Sequence, residues 1–251
     1  MPPLSSNARV LVTGGCGFLG RHLVNVLRTR FQVTSFDVQN PENDPDFIQG
    51  SVTDPAMIES ALEGMDSLVI GHMAPRAPGV YDSPEIPFDI NVKGTALLLE
   101  AAARRGIKRV VLISSIGAVS LSNQAKEFLT AALPLSSDSI YGLTKLLQEQ
   151  IAQYYYSRHG IECAILRPAY ISLGDSLMDK YGVQRPSVNW QFIDPRDIGQ
   201  AALKSLLAPE LGCEAFYMVA GPGAEERADI QSAFTRLGWD PAYRFTEFPL
   251  D

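Results

Sequence analysis

The chain has 251 residues, of which 46% are hydrophobic and 20% charged, a composition typical of an ordinary globular protein and unlike that of disordered or fibrous chains. Its formal net charge of −7 at pH 7 opposes binding to the phosphates of nucleic acid. The apolar runs are too short to cross a bilayer, and the N-terminus lacks the basic and apolar regions of a secretory signal. We expect a cytoplasmic protein that binds neither nucleic acid nor membrane.

Cysteine and histidine are scarce and scattered. The three cysteines, Cys16, Cys163 and Cys213, are odd in number and widely spaced, which argues against a disulfide framework. The three histidines share no metal-ligand spacing with one another or with the cysteines. We expect no metal site.

Residues 9–168 alternate between short apolar strands and helices. The run Arg9–Thr13 ends in a glycine cluster and precedes a helix, to about Arg30, whose apolar residues recur every three or four positions. The same alternation predicts further strands at 31–36, 47–49, 67–71, 109–114 and 162–166, and helices at 55–62, 88–104 and 139–159. Strands that alternate with helices form a parallel sheet covered on both faces. The sequence predicts an α/β fold with a doubly wound parallel sheet (Rossmann) over residues 1–168.

The pattern loosens beyond Pro168. The sequence there predicts a loop to about residue 189, a helix at 195–207, a strand at 215–219 and a helix at 228–237. There is no long linker and no internal repeat. We expect residues 169–251 to form a small C-terminal substrate-binding lobe that packs on the first domain as one structural unit.

Three glycines, Gly14, Gly17 and Gly20, lie between the first strand and the first helix. In that position the first glycine permits a tight turn, the second lets the backbone approach a pyrophosphate, and the third allows close packing of the helix. The start of the helix, with Phe18 and Leu19, then faces the phosphates. The alternative is a plain strand-to-helix turn.

Asp37 ends the second strand, about 20 residues after the glycine turn, where an acidic side chain binds the ribose hydroxyls of adenosine. No Arg or Lys lies between Phe36 and Asp54 to hold a 2′-phosphate. The sequence therefore predicts NAD rather than NADP. Asp54 follows the third strand and is expected either to meet the adenine or to cap the next helix.

Tyr141 and Lys145 lie four residues apart at the start of a predicted helix, so both side chains share one face. A tyrosine with an ordinary pKa of about 10 is a weak base at neutral pH, but a neighbouring ammonium and a positive nicotinamide favour its phenolate. Ser115, after the fifth strand, then holds the substrate oxygen while Tyr141 moves the proton. Ser114 remains the alternative hydroxyl.

Together these motifs resemble extended short-chain dehydrogenases/reductases of the NAD-dependent epimerase/dehydratase family. The resemblance rests on residues 13–20, 37, 72–74, 91–95, 114–115, 141–145, 166–168 and 192–197. It implies that Lys145 also binds the nicotinamide ribose and that Pro168 borders the nicotinamide. It further places Ser114 and these residues at the cofactor: Val69, His72, Ala74 and Asn91.

Three of these positions also have structural interpretations. Pro168 can simply end a strand, and Asn91 can cap the long helix. Asp197 is assigned to capping or positioning the helix that follows it. The resemblance also implies a homodimer formed by residues 88–104 and 141–159 as a four-helix bundle.

The substrate region departs from family members that act on nucleotide sugars. Residues 169–193 leave little room for a nucleotide-binding subdomain, which favours a smaller substrate. The short length and the segment 237–241 are similar to uronate dehydrogenases. Arg76, Arg185 or Arg196 can pair with a substrate carboxylate, or each can be a solvated surface residue.

We therefore expect an NAD-dependent oxidoreductase of carbohydrate metabolism that transfers hydride between nicotinamide and a secondary alcohol or carbonyl of a small sugar-like substrate, a sugar acid among the candidates. One alternative is an epimerase that retains NAD. Another is a non-catalytic NAD(P)-sensing regulator, which the presence of Tyr141 and Lys145 disfavours. Ile116 and Gly117 stand where dehydratases carry an acidic pair, which disfavours dehydration.

Overall fold

A computed structural model of the chain describes residues 3–40, 43–75, 81 and 83–251. Its centre is a seven-stranded sheet, parallel throughout, with the order β3-β2-β1-β4-β5-β6-β9, and β7 pairs with β8 outside it. The strands are β1 Arg9–Thr13, β2 Gln32–Asp37, β3 Phe47–Gln49, β4 Ser67–Ile70, β5 Arg109–Ile113, β6 Glu162–Pro168, β7 Tyr170–Ile171, β8 Phe192–Ile193 and β9 Cys213–Met218. The predicted doubly wound fold is confirmed.

Helices cover both faces of the sheet. They are α1 Phe18–Leu27, α2 Pro55–Ala61, α3 Glu85–Pro87, α4 Gly94–Arg104, α5 Leu121–Lys126, α6 Ile140–His159, α7 Pro195–Leu207 and α8 Gln231–Leu237. A π-helical turn, Phe88–Lys93, joins α3 to α4. Most elements lie within about two residues of their predicted bounds. The larger shifts are in the helices: the first ends at Leu27 rather than about Arg30, the long helical segment begins at Glu85 rather than 88, and the last helix begins at 231 rather than 228. The sequence did not predict α5 or the β7–β8 pair.

Alternation along the strands creates two cores. Val10 and Val12 of β1 belong to a cluster with α1 and α7 on one face, whereas Leu11 belongs to a cluster with α2, α4 and α6 on the other. Successive side chains of a strand point to opposite faces, so each strand feeds both cores. Apolar burial on both faces explains why these strands are continuous apolar runs in the sequence.

The sheet order reverses between β1 and β4, because the chain moves outward to β2 and β3 and then returns to start β4 on the other side of β1. The loops that follow β1 and β4 diverge at this point and leave a crevice at the carboxyl ends of the strands. Ligands of open α/β sheets bind in such a crevice. The topology therefore sets the place of the site before any side chain is considered.

Residues 169–251 divide between two places. β9 extends the main sheet beside β6, and α7 packs on α1. A smaller lobe contains β7, β8 and a separate apolar cluster around Phe192 and Phe245. The region expected as a substrate lobe therefore also completes the main sheet.

Asp197 has a structural role, but it does not cap α7. That cap is Asp194, whose side chain accepts from the N–H of Arg196. Asp197 is buried and accepts from the backbone N–H groups of Ala242 (2.9 Å) and Tyr243 (3.0 Å). It thereby fastens the segment after α8 onto α7. Burial raises the pKa of its carboxyl.

Among the described residues, no helix is both long and apolar enough to span a membrane.

The glycine turn lets α1 lie directly against the end of β1. Gly14 has a φ of +69°, a left-handed conformation that glycine adopts at little cost. A Cβ on Gly20 would lie 1.9 Å from the carbonyl oxygen of Gly14, whereas a Cβ on Gly17 would lie 3.4 Å from the same atom. Gly20 is thus required for close packing of α1 on the glycine turn, whereas Gly17 has space beside it for an additional atom.

We expect Gly20→Ala to destabilise the fold by about 3 kcal/mol, because the new methyl group collides with backbone and forces α1 away. Gly17→Ala is the matched control in the same turn and should cost less than about 1 kcal/mol. Equilibrium unfolding in urea measures both free energies. Equal stability of the two variants would contradict the packing role of Gly20.

Candidate functional site

A cavity of about 430 Å³ lies at the carboxyl ends of the strands, where the sheet order reverses. It runs between the glycine turn and the start of α6. Most of the residues selected from the sequence line it: Gly14, Gly17, Phe18, Leu19, Gly20, Asp37, His72, Ser114, Ser115, Tyr141, Lys145 and Pro168. Residues from six segments of the chain thus meet in one crevice.

Four of the selected residues do not line this cavity. Asp54 caps α2, since its Oδ1 accepts from the backbone N–H groups of Ala56 and Met57. Val69 is fully buried inside β4. The Asn91 side chain accepts from the N–H of Ala74 (2.8 Å) and donates to Thr144 Oγ1 (3.0 Å). These contacts place Asn91 and Ala74 behind the residues that line the cavity, where they connect the loop after β4 to α6.

Asp37 closes one end of the cavity. Its Oδ2 accepts from the backbone N–H of Cys16 at 3.1 Å, and its Oδ1 accepts from the N–H of Val38 at 2.7 Å. The carboxylate is therefore held against the glycine turn. Ser51 and Val52 line this end as well. The sequence pointed instead to the neighbouring Asp54, which does not line the cavity.

His72 is a buried, neutral link beneath the cavity. Its Nε2 lies 3.0 Å from the carbonyl oxygen of Ile90, and its Nδ1 lies 2.9 Å from Thr13 Oγ1. A carbonyl only accepts, so the ring proton is on Nε2 and Nδ1 accepts from the threonine hydroxyl. Burial, with the nearby charge of Lys145, lowers the pKa of His72 to about 3. The ring joins β1 and the loop after β4 to the π-helical turn without carrying charge.

Tyr141 and Lys145 line the cavity where the start of α6 meets the end of β5. Lys145 is 3% exposed, and its Nζ donates to the carbonyl oxygen of Ile113 at 2.9 Å. The same nitrogen lies 6.0 Å from the centre of the Tyr141 ring. The buried ammonium is thus fixed beside the tyrosine.

The start of α6 approaches the turn after β5 very closely. A Cβ on Gly142 would lie 2.0 Å from the carbonyl oxygen of Gly117, so only glycine fits there. The Ser115 hydroxyl accepts from the N–H of Gly117 at 3.1 Å. Two glycines therefore set the separation between the turn that holds Ser115 and the helix that holds Tyr141.

Ser114 faces a buried ion pair that the sequence analysis missed. Its hydroxyl donates to Glu149 at 2.5 Å, and Glu149 accepts from Arg167 Nε (3.0 Å) and Nη2 (2.7 Å). Glu149 and Arg167 are each about 3% exposed in their side chains. The spacing of Tyr141, Lys145 and Glu149, four residues apart, is the sequence signal for this alignment. Because Ser114 is engaged with this pair, the geometry favours Ser115 as the serine that serves the cavity.

The arginines considered for a substrate carboxylate take other partners. Arg196 pairs with Asp194 and Asp175 and does not line the cavity. Arg185 contacts Tyr170 and Asp179. Arg76 lies outside the described residues. The sequence did not identify the cavity-lining residues that follow β6, namely Ala169, Tyr170, Ile171, Asp179, Lys180 and Tyr181.

The residues present fit a dinucleotide. The glycine turn leaves a cradle over α1, and the N-terminus of that helix has no side-chain cap, so its N–H groups can receive a phosphate. Asp37 supplies a carboxylate for ribose hydroxyls at one end. At the other end, Lys145, Tyr141 and Pro168 meet where a redox-active ring would lie.

Comparison with known proteins gives a consistent result. Residues 10–172 match the NAD dependent epimerase/dehydratase family. The L-arabinose 1-dehydrogenase (NAD(P)(+)) of Haloferax volcanii is 28% identical over 217 residues, which cover 80% of this chain and 83% of that protein. The uronate dehydrogenase of Pseudomonas syringae pv. tomato is 29% identical over 221 residues, covering 84% of this chain and 74% of that protein.

Solved structures share the fold. A short-chain dehydrogenase/reductase superfamily protein from Agrobacterium tumefaciens, crystallised with bound NAD, superposes with a TM-score of 0.80 at 23% identity, over 95% of each chain. The uronate dehydrogenase of the same organism has a TM-score of 0.77 at 24% identity, over 94% of this chain and 85% of that one.

The buried His72 should make the fold sensitive to acid. Its pKa of about 3 lies below the ordinary 6.5, so the unfolded state binds more protons and stability falls as pH decreases from 6.5 towards 3. Between pH 7 and pH 5 the wild type should lose about 2 kcal/mol of unfolding free energy that His72→Gln does not lose. Urea unfolding at both pH values measures this, with His159→Gln, at the exposed end of α6, as the control. An equal loss in all three proteins would refute the assignment.

Proposed function

The chain belongs to the NAD-dependent epimerase/dehydratase family, and we propose that it is a dehydrogenase that oxidises a secondary alcohol of a small sugar-like substrate, or reduces the corresponding carbonyl. The family match confirms the resemblance drawn from the motifs, the enzymatic class and NAD as the cofactor. The observation that carries the proposal is the meeting of Ser115, Tyr141 and buried Lys145 at one end of the cavity.

Within this proposal the glycine turn, Asp37, Lys145 and Pro168 hold NAD. When bound, NAD supplies a nicotinamide ring that accepts or returns a hydride. Ser115 donates to the substrate oxygen and orients it. Tyr141 removes the hydroxyl proton as the alcohol becomes a carbonyl, and returns it in the reverse direction. The ammonium of Lys145 stabilises the negative charge that develops on the phenol oxygen.

A buried lysine suits this role because its charge acts in a poorly hydrated place. The interaction between two charges is several times stronger in a protein interior than in water. The carbonyl oxygen of Ile113 accepts one of the three ammonium protons. This contact offsets part of the cost of burying Lys145 and keeps it within reach of Tyr141.

Two alternatives remain weaker. An epimerase that retains NAD begins with the same proton and hydride transfers but keeps the NADH it forms. A non-catalytic NAD(P)-sensing regulator has no need for a buried lysine beside a tyrosine. Ile116 and Gly117 follow Ser115, so this turn lacks the acidic pair that dehydration would use.

We also propose that the chain forms a homodimer through α4 and α6. Both helices carry apolar side chains that remain partly accessible: Leu97 and Ile151 are partly buried, whereas Leu143 and Tyr154 are 39% and 55% exposed. A second pair of the same helices would cover them as a four-helix bundle. The cytoplasm as the compartment, and carbohydrate metabolism as the context, stay predictions.

Tyr141→Phe should lower kcat by about 100-fold or more, because it removes only the hydroxyl that moves the proton. The dissociation constant for NAD should change little. The measurement is NADH formation from sugars with added NAD, which a dehydrogenase accumulates and an NAD-retaining epimerase does not. Tyr156→Phe, farther along the same helix and partly exposed, is the control. Undiminished turnover in Tyr141→Phe would remove the catalytic role.

Asp37→Ala should weaken NAD binding by about tenfold, because hydrogen bonds from ribose hydroxyls to a carboxylate are lost. NADP binding should not weaken, since its 2′-phosphate is repelled by the same carboxylate. Asp54→Ala is the control; it removes a helix cap and should affect both cofactors alike. Titration of both cofactors by fluorescence measures the ratio, and an unchanged ratio in Asp37→Ala would contradict the ribose contact.

A further inference from the structure

One part of the cavity is not accounted for by the dinucleotide site. Tyr170, Ile171, Asp179, Lys180 and Tyr181 line it and all follow β6 in the chain. We call these five residues the β7 wall. They come from the small lobe, whereas the glycine turn, Asp37 and Lys145 come from the main sheet and its helices. If the proposed function is correct, the β7 wall is where the substrate lies.

Asp179 places a buried negative charge in the β7 wall. Its side chain is only 4% exposed. Oδ1 accepts from the backbone N–H groups of Tyr181 (2.9 Å) and Val183 (3.0 Å), and Oδ2 accepts from the Tyr170 hydroxyl at 2.7 Å. Burial alone raises the pKa of Asp179, but these hydrogen bonds outweigh it and the pKa is lowered overall. The carboxylate is therefore ionised at neutral pH.

Asp179 also engages the arginine that would otherwise suit a substrate carboxylate. Arg185 Nη2 lies 3.5 Å from Asp179 Oδ2, and Arg185 Nε donates to the Tyr170 hydroxyl. Its guanidinium stacks 4.9 Å from the centre of the Tyr170 ring. Two guanidinium nitrogens of Arg185, Nε and Nη2, are thus engaged by residues of the β7 wall.

Within this pair, the buried carboxylate of Asp179 has a stronger electrostatic effect on the cavity than the more exposed guanidinium of Arg185. Arg185 is 43% exposed and Asp179 is 4% exposed, so water and salt screen the guanidinium more strongly than the carboxylate. The other charged residue of the β7 wall, Lys180, is only partly buried, and its ammonium lies 4.9 Å from the centre of the exposed Tyr181 ring, so water and salt screen it as well. The β7 wall therefore offers an incoming carboxylate no fully buried cation.

A carboxylate that reaches the β7 wall must displace Asp179 from Arg185 and then lie beside a like charge. A hydroxyl at the same position incurs neither cost, because it is uncharged and can both donate and accept. Discrimination of this kind arises from a repulsive element against one ligand rather than from added contacts to the other.

We propose, on the basis of the dehydrogenase function above, that Asp179 is a specificity-determining residue that makes the site select uncharged sugars or polyols over the corresponding sugar acids. This narrows the substrate class to one of the two that the sequence left open. Tyr170 and Arg185 act in this role through Asp179, since both are bound to it.

The test compares substrates that differ only at the distal carbon. Galactose and galacturonate, and glucose and glucuronate, carry CH₂OH or a carboxylate on the same ring. With wild-type protein and NAD we expect kcat/KM to be higher for the neutral member of each pair by about tenfold or more, with the difference mainly in KM. This comparison needs no variant. Equal values, or a preference for the acids, would overturn the proposal.

Asp179→Asn tests the residue itself. The substitution keeps the shape but removes the charge, so Arg185 becomes available and the ratio should shift towards the acids by about tenfold. Adding Arg185→Met to this variant should abolish the gain. Asp175→Asn is the matched control: it removes the same charge from an exposed acid paired with Arg196 and should leave the ratio unchanged. A folded Asp179→Asn protein, judged by thermal unfolding, with an unchanged ratio would contradict the proposal.

The same measurements distinguish failure of the proposed dehydrogenase function from failure of the proposed role of Asp179. If no member of either pair yields NADH while fluorescence titration shows that NAD binds, the dehydrogenase proposal itself falls, and the selectivity of Asp179 falls with it. If the acids alone yield NADH, the dehydrogenase function stands and only the role of Asp179 is overturned.

Discussion

The attachment of α6 to the ends of β5 and β6 is the constraint on which the rest of the site depends. Lys145 binds the last carbonyl of β5, and one turn later Glu149 binds Ser114 and Arg167. Both links are buried, so a missing partner would leave an unpaired charge, which costs several kcal/mol. The helix therefore has one low-energy position on the sheet. That position carries Tyr141 to the cavity.

This attachment also separates two adjacent serines by function. Ser114 and Ser115 are neighbours at the end of one strand, and successive side chains in extended chain point to opposite sides. Ser114 donates to Glu149, whereas Ser115 accepts from the N–H of Gly117 in the turn after β5. The buried pair of Glu149 and Arg167 thus engages the hydroxyl of Ser114 but not that of Ser115. Asn91 likewise acts from behind the cavity wall, whereas His72 is part of that wall and links it to the π-helical turn.

The sequence determined the fold and most of the main-sheet half of the site. Apolar strands alternating with amphipathic helices predict a doubly wound sheet, and such a sheet brings the loop ends to one crevice. The glycine turn, Asp37 and the Tyr141–Lys145 pair are visible because each has a local spacing set by backbone geometry. Asp54 illustrates the limit: its position favoured both a ligand and a cap, and the structure shows the cap.

Only the tertiary structure showed which residues after β6 line the cavity. Asp179, Tyr170 and Arg185 lie up to 15 residues apart in a region without helical or strand periodicity, and their contacts have no counterpart in sequence spacing. The pairing of Arg167 with Glu149, 18 residues apart, likewise could not be read from the chain. Charged side chains are assigned partners by three-dimensional proximity, whereas strands, helices and tight turns are encoded by neighbours in sequence. Neighbours in sequence therefore predicted the glycine turn, Asp37 and the Tyr141–Lys145 pair, whereas long-range packing brought the residues after β6 to the same cavity.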